Sequence, residues 1–159
     1  MMRYLFIYVI LIFPNIVFSQ TEFNIVYNFI DTAEIGNTQI IKLNCGLDSL
    51  NCNIFTLNFL GEIECNDKIK YNVITVFKKF KVSNGYRGYS YLIFKNTASG
   101  VLIKVVVDKP DELPYGINNN NLLFFNGDKE TKYKLKNLTI GYLVCFPIGC
   151  YDVTQMTKD

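Results

Sequence analysis

Between Val101 and Cys150 the chain carries a set of local signals that leaves few folds open. An aliphatic run from Val101 to Val107 ends in a Pro-x-x-x-Pro-x-Gly bend made by Pro110, Pro114 and Gly116. Proline has no N–H to give to a ladder and pins its own φ, so a strand cannot pass through such a bend. Leu113 sits inside it. A second apolar run, 122–126, is followed by Gly127 and Asp128, and two cysteines, Cys145 and Cys150, enclose Phe-Pro-Ile-Gly with Gly149 as the last of the four. Short strands, enforced turns and a closely spaced cysteine pair describe a stapled β-domain.

The rest of the chain reads the same way. Val, Ile, Phe and Tyr dominate, and no segment holds a long amphipathic helical period. The pattern predicts strands at 24–30, 39–45, 52–60, 70–79, 86–95, 101–108, 122–126, 133–135 and 140–146. Turn clusters at Gly36-Asn37, Asn84-Gly85, Asn96–Gly100 and Asn126-Gly127-Asp128 bound them. Asn126-Gly127 is the pair favoured in type I′ turns, with the chain returning through Glu130 to Tyr133. The only helical candidates lie after Leu138 or after Asp152, and neither has a clear period. On 101–108, Val101, Ile103, Val105 and Val107 share one face and should point to the core. Many short strands at regular spacing predict one all-β domain, an antiparallel sandwich or barrel. The Asn118–Asn121 run is read as a polar turn.

Residues 1–19 have the form of a secretory signal. Arg3 provides the positive start, Tyr4 to Phe13 is an unbroken apolar stretch, and Pro14-Asn15 breaks it before Val17-Phe18-Ser19. A retained spanning helix would need about 20 apolar residues, so no stable transmembrane anchor is expected. Residues 20–159 then form the exported domain, with Gln20 at its start. The net charge of the whole chain is +2, and losing Arg3 lowers it by one. Such a balance gives no overall preference for nucleic acid or anionic membrane. The local excess at Lys78, Lys79, Lys81 and Arg87 is read as the solvated side of strands rather than a phosphate site.

All five cysteines, Cys45, Cys52, Cys65, Cys145 and Cys150, lie beyond the signal. An exported chain meets an oxidising compartment in which close pairs form disulfides. The spacings favour Cys45–Cys52 and Cys145–Cys150, each worth only about 2 kcal/mol because the loops are short. Cys65 is left as a buried thiol, an intermolecular partner, or an alternative mate for Cys45 or Cys52. A zinc site is excluded by spacing: no CxxC pair exists and the chain has no histidine.

Catalytic sets are missing too. Without histidine, Ser-His-Asp and Cys-His mechanisms fall away. Carboxylate pairs could be drawn from Asp108, Asp111 and Glu112, or from Glu62 and Glu64, but each group sits beside turn residues or on a polar strand face. No Gly-rich phosphate loop is present, and the four-residue Cys145–Cys150 spacing is not that of a redox pair. No metal, cofactor or catalytic residue is therefore assigned. Aromatic residues carry what remains. Most read as core or cross-strand pairs, while Tyr86, Tyr89 and Tyr91 on one predicted hairpin form a candidate binding patch. Tyr89 and Tyr91 share one strand face and Tyr86 takes the other.

The second half resembles the invasion-associated locus B family of exported bacterial proteins. The likeness runs through Val101–Val107, Pro110, Leu113-Pro114-Tyr115-Gly116-Ile117, 122–128 and Cys145-Phe146-Pro147-Ile148-Gly149-Cys150. More loosely, Ile41–Cys45 and Cys52–Phe55 match a strand ending in Cys and a Cys opening the next strand, so that about 39–152 is covered. The family's usual Trp before the first Cys is missing here, as are its strands beyond the Gly-Cys step. The resemblance implies an immunoglobulin-like β-sandwich of the periplasm or outer membrane, with virulence through host-cell invasion in some members and no enzymatic activity. It also argues against a use for the glycosylation sequon Asn137-Leu138-Thr139, which needs a eukaryotic secretory route. The expectation is a non-enzymatic module that binds a protein or cell-envelope partner. Its alternative is a carrier with a β-barrel cavity for a lipid or small molecule.

Overall fold

The structure is a computed structural model, and it describes residues 20–43, 45, 52–83 and 85–157. The expected export segment, 1–19, lies outside the described residues. In chain order a helix, α1 (Gln20–Thr32), precedes β1 (Thr38–Leu43), β2 (Asn53–Glu64), β3 (Lys70–Val82), β4 (Gly85–Asn96) and β5 (Leu102–Val107). A short 3-10 turn (Pro110–Glu112) follows, then β6 (Gly116–Asn118), β7 (Asn121–Asn126), β8 (Lys129–Tyr133), β9 (Leu143–Phe146) and β10 (Gly149–Met156). The expected all-β antiparallel sandwich is the architecture found. A seven-stranded sheet, ordered β1-β2-β3-β4-β5-β10-β9, packs against a three-stranded sheet, β6-β7-β8.

The large sheet is apolar on both faces. One face presents Ile63, Tyr71, Val73, Leu92, Phe94, Ile103, Val105, Val107, Val144, Phe146 and Val153 to Leu122 and Phe124 of the small sheet and to Leu135. The other presents Phe55, Leu57, Phe59, Ile74, Val76, Tyr91, Ile93 and Leu102 to the helix. The inward set expected on 101–108 is therefore half of the picture. Ile103, Val105 and Val107 do point into the larger core, but Leu102 on the opposite side is equally buried, beneath α1.

A bulge in β2 supplies both cores from one strand. The register against β3 shifts between Phe59 and Gly61. Before the shift Phe55, Leu57 and Phe59 face the helix, and after it Ile63 faces the small sheet. One extra residue thus moves the odd-numbered positions from one face to the other. Gly61, at φ 119, takes a conformation that a side chain would strain.

The strand predicted over 24–30 is instead the middle of α1. Its β-branched and aromatic residues favour a strand by propensity. However, Val26, Phe29 and Ile30 stand at helical spacing, and all three are buried against the sheet. Burying that stripe outweighs the small propensity difference. The segment after Asp152, considered for a helix, belongs to strand β10, which pairs with both β5 and β9.

The turns differ in detail from the expectation. Asn126 pairs with Lys129, so the loop is Gly127-Asp128, with Gly127 at φ 61 in the first loop position, the placement of a II′ turn. The strand expected at 133–135 is Lys129–Tyr133. The asparagine run makes the β6–β7 turn, with Asn119 and Asn120 both at positive φ. Asn120 then bonds the backbone of Glu64 twice, accepting from its N–H at 2.6 Å and donating to its carbonyl at 2.8 Å. That reciprocal pair ties the small sheet to β2.

Both short-range disulfides form, Cys45–Cys52 and Cys145–Cys150, and Cys65 is a free buried thiol. Burial, with the Asp67 charge adding to it, pushes the Cys65 thiol up to about 12. Alkylation of the native protein should leave Cys65 unlabelled, and denaturant without reductant should expose one thiol per chain, read by mass spectrometry. Phe124→Ala, which empties a fully buried site, should cost about 3–5 kcal/mol in urea denaturation.

Candidate binding face

Of the residues considered for acid–base chemistry, Glu62 and Glu112 are held in structural bonds. Glu62 pairs with Lys70 at 2.9 Å on the surface, and the contacts found for Glu64 are those of its backbone with Asn120. Glu112 accepts a 2.9 Å hydrogen bond from the Tyr151 hydroxyl. Burial and then Glu112 itself raise that hydroxyl to about 12, so it stays a donor. Among the described residues no group of three or more His, Cys, Asp or Glu could hold a metal ion.

The motif residues brace the fold. Pro110 opens the 3-10 turn, whose end is closed by the Leu113 N–H donating to the Pro110 carbonyl at 3.2 Å. Leu113 packs on the larger core, Pro114 is buried, and Gly116 starts β6. Gly149 has a steric reason: a Cβ there would lie 2.7 Å from the Tyr151 hydroxyl oxygen. Its missing side chain lets the Tyr151 ring cross it and reach Glu112. The proline bend and the Cys145–Cys150 hairpin are thereby joined.

The outer face of the large sheet is different. There Glu22, in the first turn of α1, meets three donors rising from the strands. Lys78 Nζ lies 2.8 Å from one carboxylate oxygen. Tyr91 donates its hydroxyl to the other at 2.5 Å, and Lys104 Nζ lies 3.5 Å from the same oxygen. Lys104 also stands over the Tyr91 ring, 4.1 Å from its centre. Burial works against the Glu22 charge, but the bonds from Lys78 and Tyr91 and the charges of Lys104 and Lys78 outweigh it and hold the carboxyl below its usual value. Burial, then Glu22, drives the Tyr91 hydroxyl far above the usual tyrosine range, so it remains a proton donor.

At the other end of α1, Lys95 bonds Asp31 and lies 3.8 Å from the centre of the Tyr27 ring. Nine helical residues from Glu22 to Asp31 rise about 13 Å. Four strand residues from Tyr91 to Lys95 cover about the same distance. The helix therefore lies along β4, clamped at both ends by ion pairs with a buried apolar stripe between them. Glu22, Lys78, Tyr91 and Lys104, with Tyr89 and Val106, line an open cleft of about 310 Å³.

The aromatic patch divides at this cleft. Tyr91 is buried and belongs to the helix clamp, whereas Tyr86 and Tyr89 are 46% and 55% exposed. The latter two stand on a ribbon that outruns its neighbours. Among the described residues β2 pairs with β3 as far as Lys79 and β5 pairs with β4 from Ser90 onward, so 80–82 and 85–87 pair only with each other, while Tyr89 faces Lys78 where β2 is still paired. Side chains stiffen the ribbon across its width. Phe80 stacks on Tyr89 at 5.3 Å, Lys79 Nζ lies 4.4 Å from the Tyr86 ring centre, and the Phe77 ring lies over Gly88, where a Cβ would come within 2.7 Å.

The sequence reading missed Glu22, Lys104 and Lys95. Their signal was an acidic residue near each end of an unrecognised helix, Glu22 and Asp31, with lysines on the strand face beneath them. No protein-family model, curated protein or solved structure matches this chain.

Glu22→Gln should lower stability at neutral pH by about 1–2 kcal/mol, measured by urea denaturation. Because the folded pKa of Glu22 is depressed, its contribution is complete above the ordinary value of 4.5 and is lost as pH falls through the lower folded value. The gap between the two proteins should therefore close in acid.

Proposed function

We propose that this is an exported, non-enzymatic recognition module of the bacterial periplasm or outer membrane, binding a protein or envelope component through its outer face. The carrying observation is the end of the β3–β4 ladder, where β4 runs past its pairing with β5 and presents Tyr86 and Tyr89 to solvent. An isolated two-stranded ribbon is marginal in water, and exposed aromatic residues are typical anchors of binding surfaces. The two disulfides fit an oxidising compartment. Among the described residues no helix is long and apolar enough to cross a membrane. The sequence resemblance to invasion-associated locus B proteins supports the envelope location and extends the reading to host-cell invasion. Both faces of the large sheet are filled by interlocking side chains, which favours recognition on the outside over carriage of a ligand within.

The test compares residues 20–159 with the double variant Tyr86→Ala, Tyr89→Ala in capture from envelope extracts. The double variant should keep its urea midpoint within about 0.5 kcal/mol of the parent stability, since both positions are exposed. It should lose at least tenfold in captured material. Equal capture by the two proteins would remove the ribbon from the binding surface.

A further inference from the structure

We propose that the β3–β4 ribbon is a membrane-contacting element that enters the headgroup layer of an anionic lipid surface edge-on. This rests on the reading of the chain as an exported binding module and names the partner of its exposed ribbon. The charge distribution is the first observation. From Lys68 to Val107 the chain holds eight Lys and Arg residues and no Asp or Glu. Lys70 and Lys78 are paired with glutamates, Lys95 with an aspartate, and Lys104 lies at Glu22. Among the described residues no carboxylate pairs with Lys79, Lys81 or Arg87 on the ribbon. The near-neutral total therefore conceals a local cationic tip, and phosphate-bearing headgroups are its complement.

The second observation is that both sides of the ribbon are alike. Strand alternation and the cross-strand register put Phe80, Arg87 and Tyr89 on one side and Lys79, Lys81 and Tyr86 on the other. A folded protein partner covers one side of a ribbon and needs one side specialised. A headgroup layer surrounds the ribbon, and aromatic rings beside lysines or arginines on both sides suit that environment, where amphipathic rings settle at the polar–apolar boundary. Residues 80–82 run about 10 Å past the last β2–β3 pair, Ile54 with Lys79, a length that matches interfacial depth and not a span. Lys81, Tyr86, Arg87 and Tyr89 are all exposed.

The chain contains no tryptophan, so Tyr86→Trp places a single emission reporter at the tip. Residues 20–159 carrying it are mixed with phosphatidylcholine vesicles, with or without about 30% phosphatidylglycerol, at low and high salt. The expected result is a blue shift and co-flotation with the anionic vesicles only, reversed by salt. A Lys132→Trp reporter on the small sheet should show no shift. Neutralising Lys81 and Arg87 together to Gln should weaken vesicle binding roughly 30-fold, about fivefold for each charge, with circular dichroism and both disulfides unchanged. No binding to anionic vesicles overturns the proposal, as does an equal shift of both reporters. Capture of a protein that requires Tyr86 and Tyr89, with no vesicle binding, overturns the lipid assignment while leaving the recognition module standing. Loss of both removes the module reading as well.

Discussion

The central sheet is apolar on both faces, and an apolar face exposed to water is the costliest surface a small domain can carry. Each face therefore needs its own cover. The small sheet covers one, and the opening helix covers the other. The β2 bulge follows from this, since one strand has to feed two cores in succession. So does the helix itself. A segment that could pair as a strand is folded so that its single apolar stripe closes the second core.

Polar groups that invite a chemical reading serve mostly in this assembly. Tyr151 and Glu112 join the proline bend to the disulfide hairpin, and Asn120 ties the small sheet to β2. Glu22 and Asp31 clamp the helix at its two ends. Each is a charge-assisted or reciprocal bond at a joint between layers, where orientation matters more than added stability. The ribbon stands outside the scheme. Its stacked Phe80 and Tyr89, and Lys79 over Tyr86, hold its own shape without binding it to the rest of the molecule. The body of this hairpin fills both cores, and only its tip contributes little to either.

Recognition on such a ribbon suits a chain with few reactive groups. It needs an exposed, stiff pair of strands and a local charge imbalance, and it needs neither a pocket nor a metal. One disulfide closes the β1–β2 hairpin at the end of β2 nearest the ribbon, and the other lies across β9 and β10. They secure the margins of the large sheet. The β3–β4 ladder in the middle is secured by its own length.

The segments that became β1 to β5 and the two disulfides could be read from the residues alone, because they depend on near neighbours: turn residues, alternation and short cysteine spacings; the state of Cys65 stayed open among three until the structure showed a free buried thiol. The same local logic excluded histidine-dependent catalysis. It failed wherever a distant partner decided the outcome. Whether 24–30 became strand or helix depended on an uncovered sheet face made more than 25 residues later. Tyr91 was removed from the surface by Glu22, which the chain places 69 residues away. The cations at Lys79, Lys81 and Arg87 were visible as letters, but that Lys81 and Arg87 stand past the last pairs to β2 and β5, with Lys79 at the last β2 pair, was set by where those strands stop pairing. Local sterics and composition determined what the pieces are; burial of two apolar faces, a property of the assembled sheet, decided which of them remain exposed.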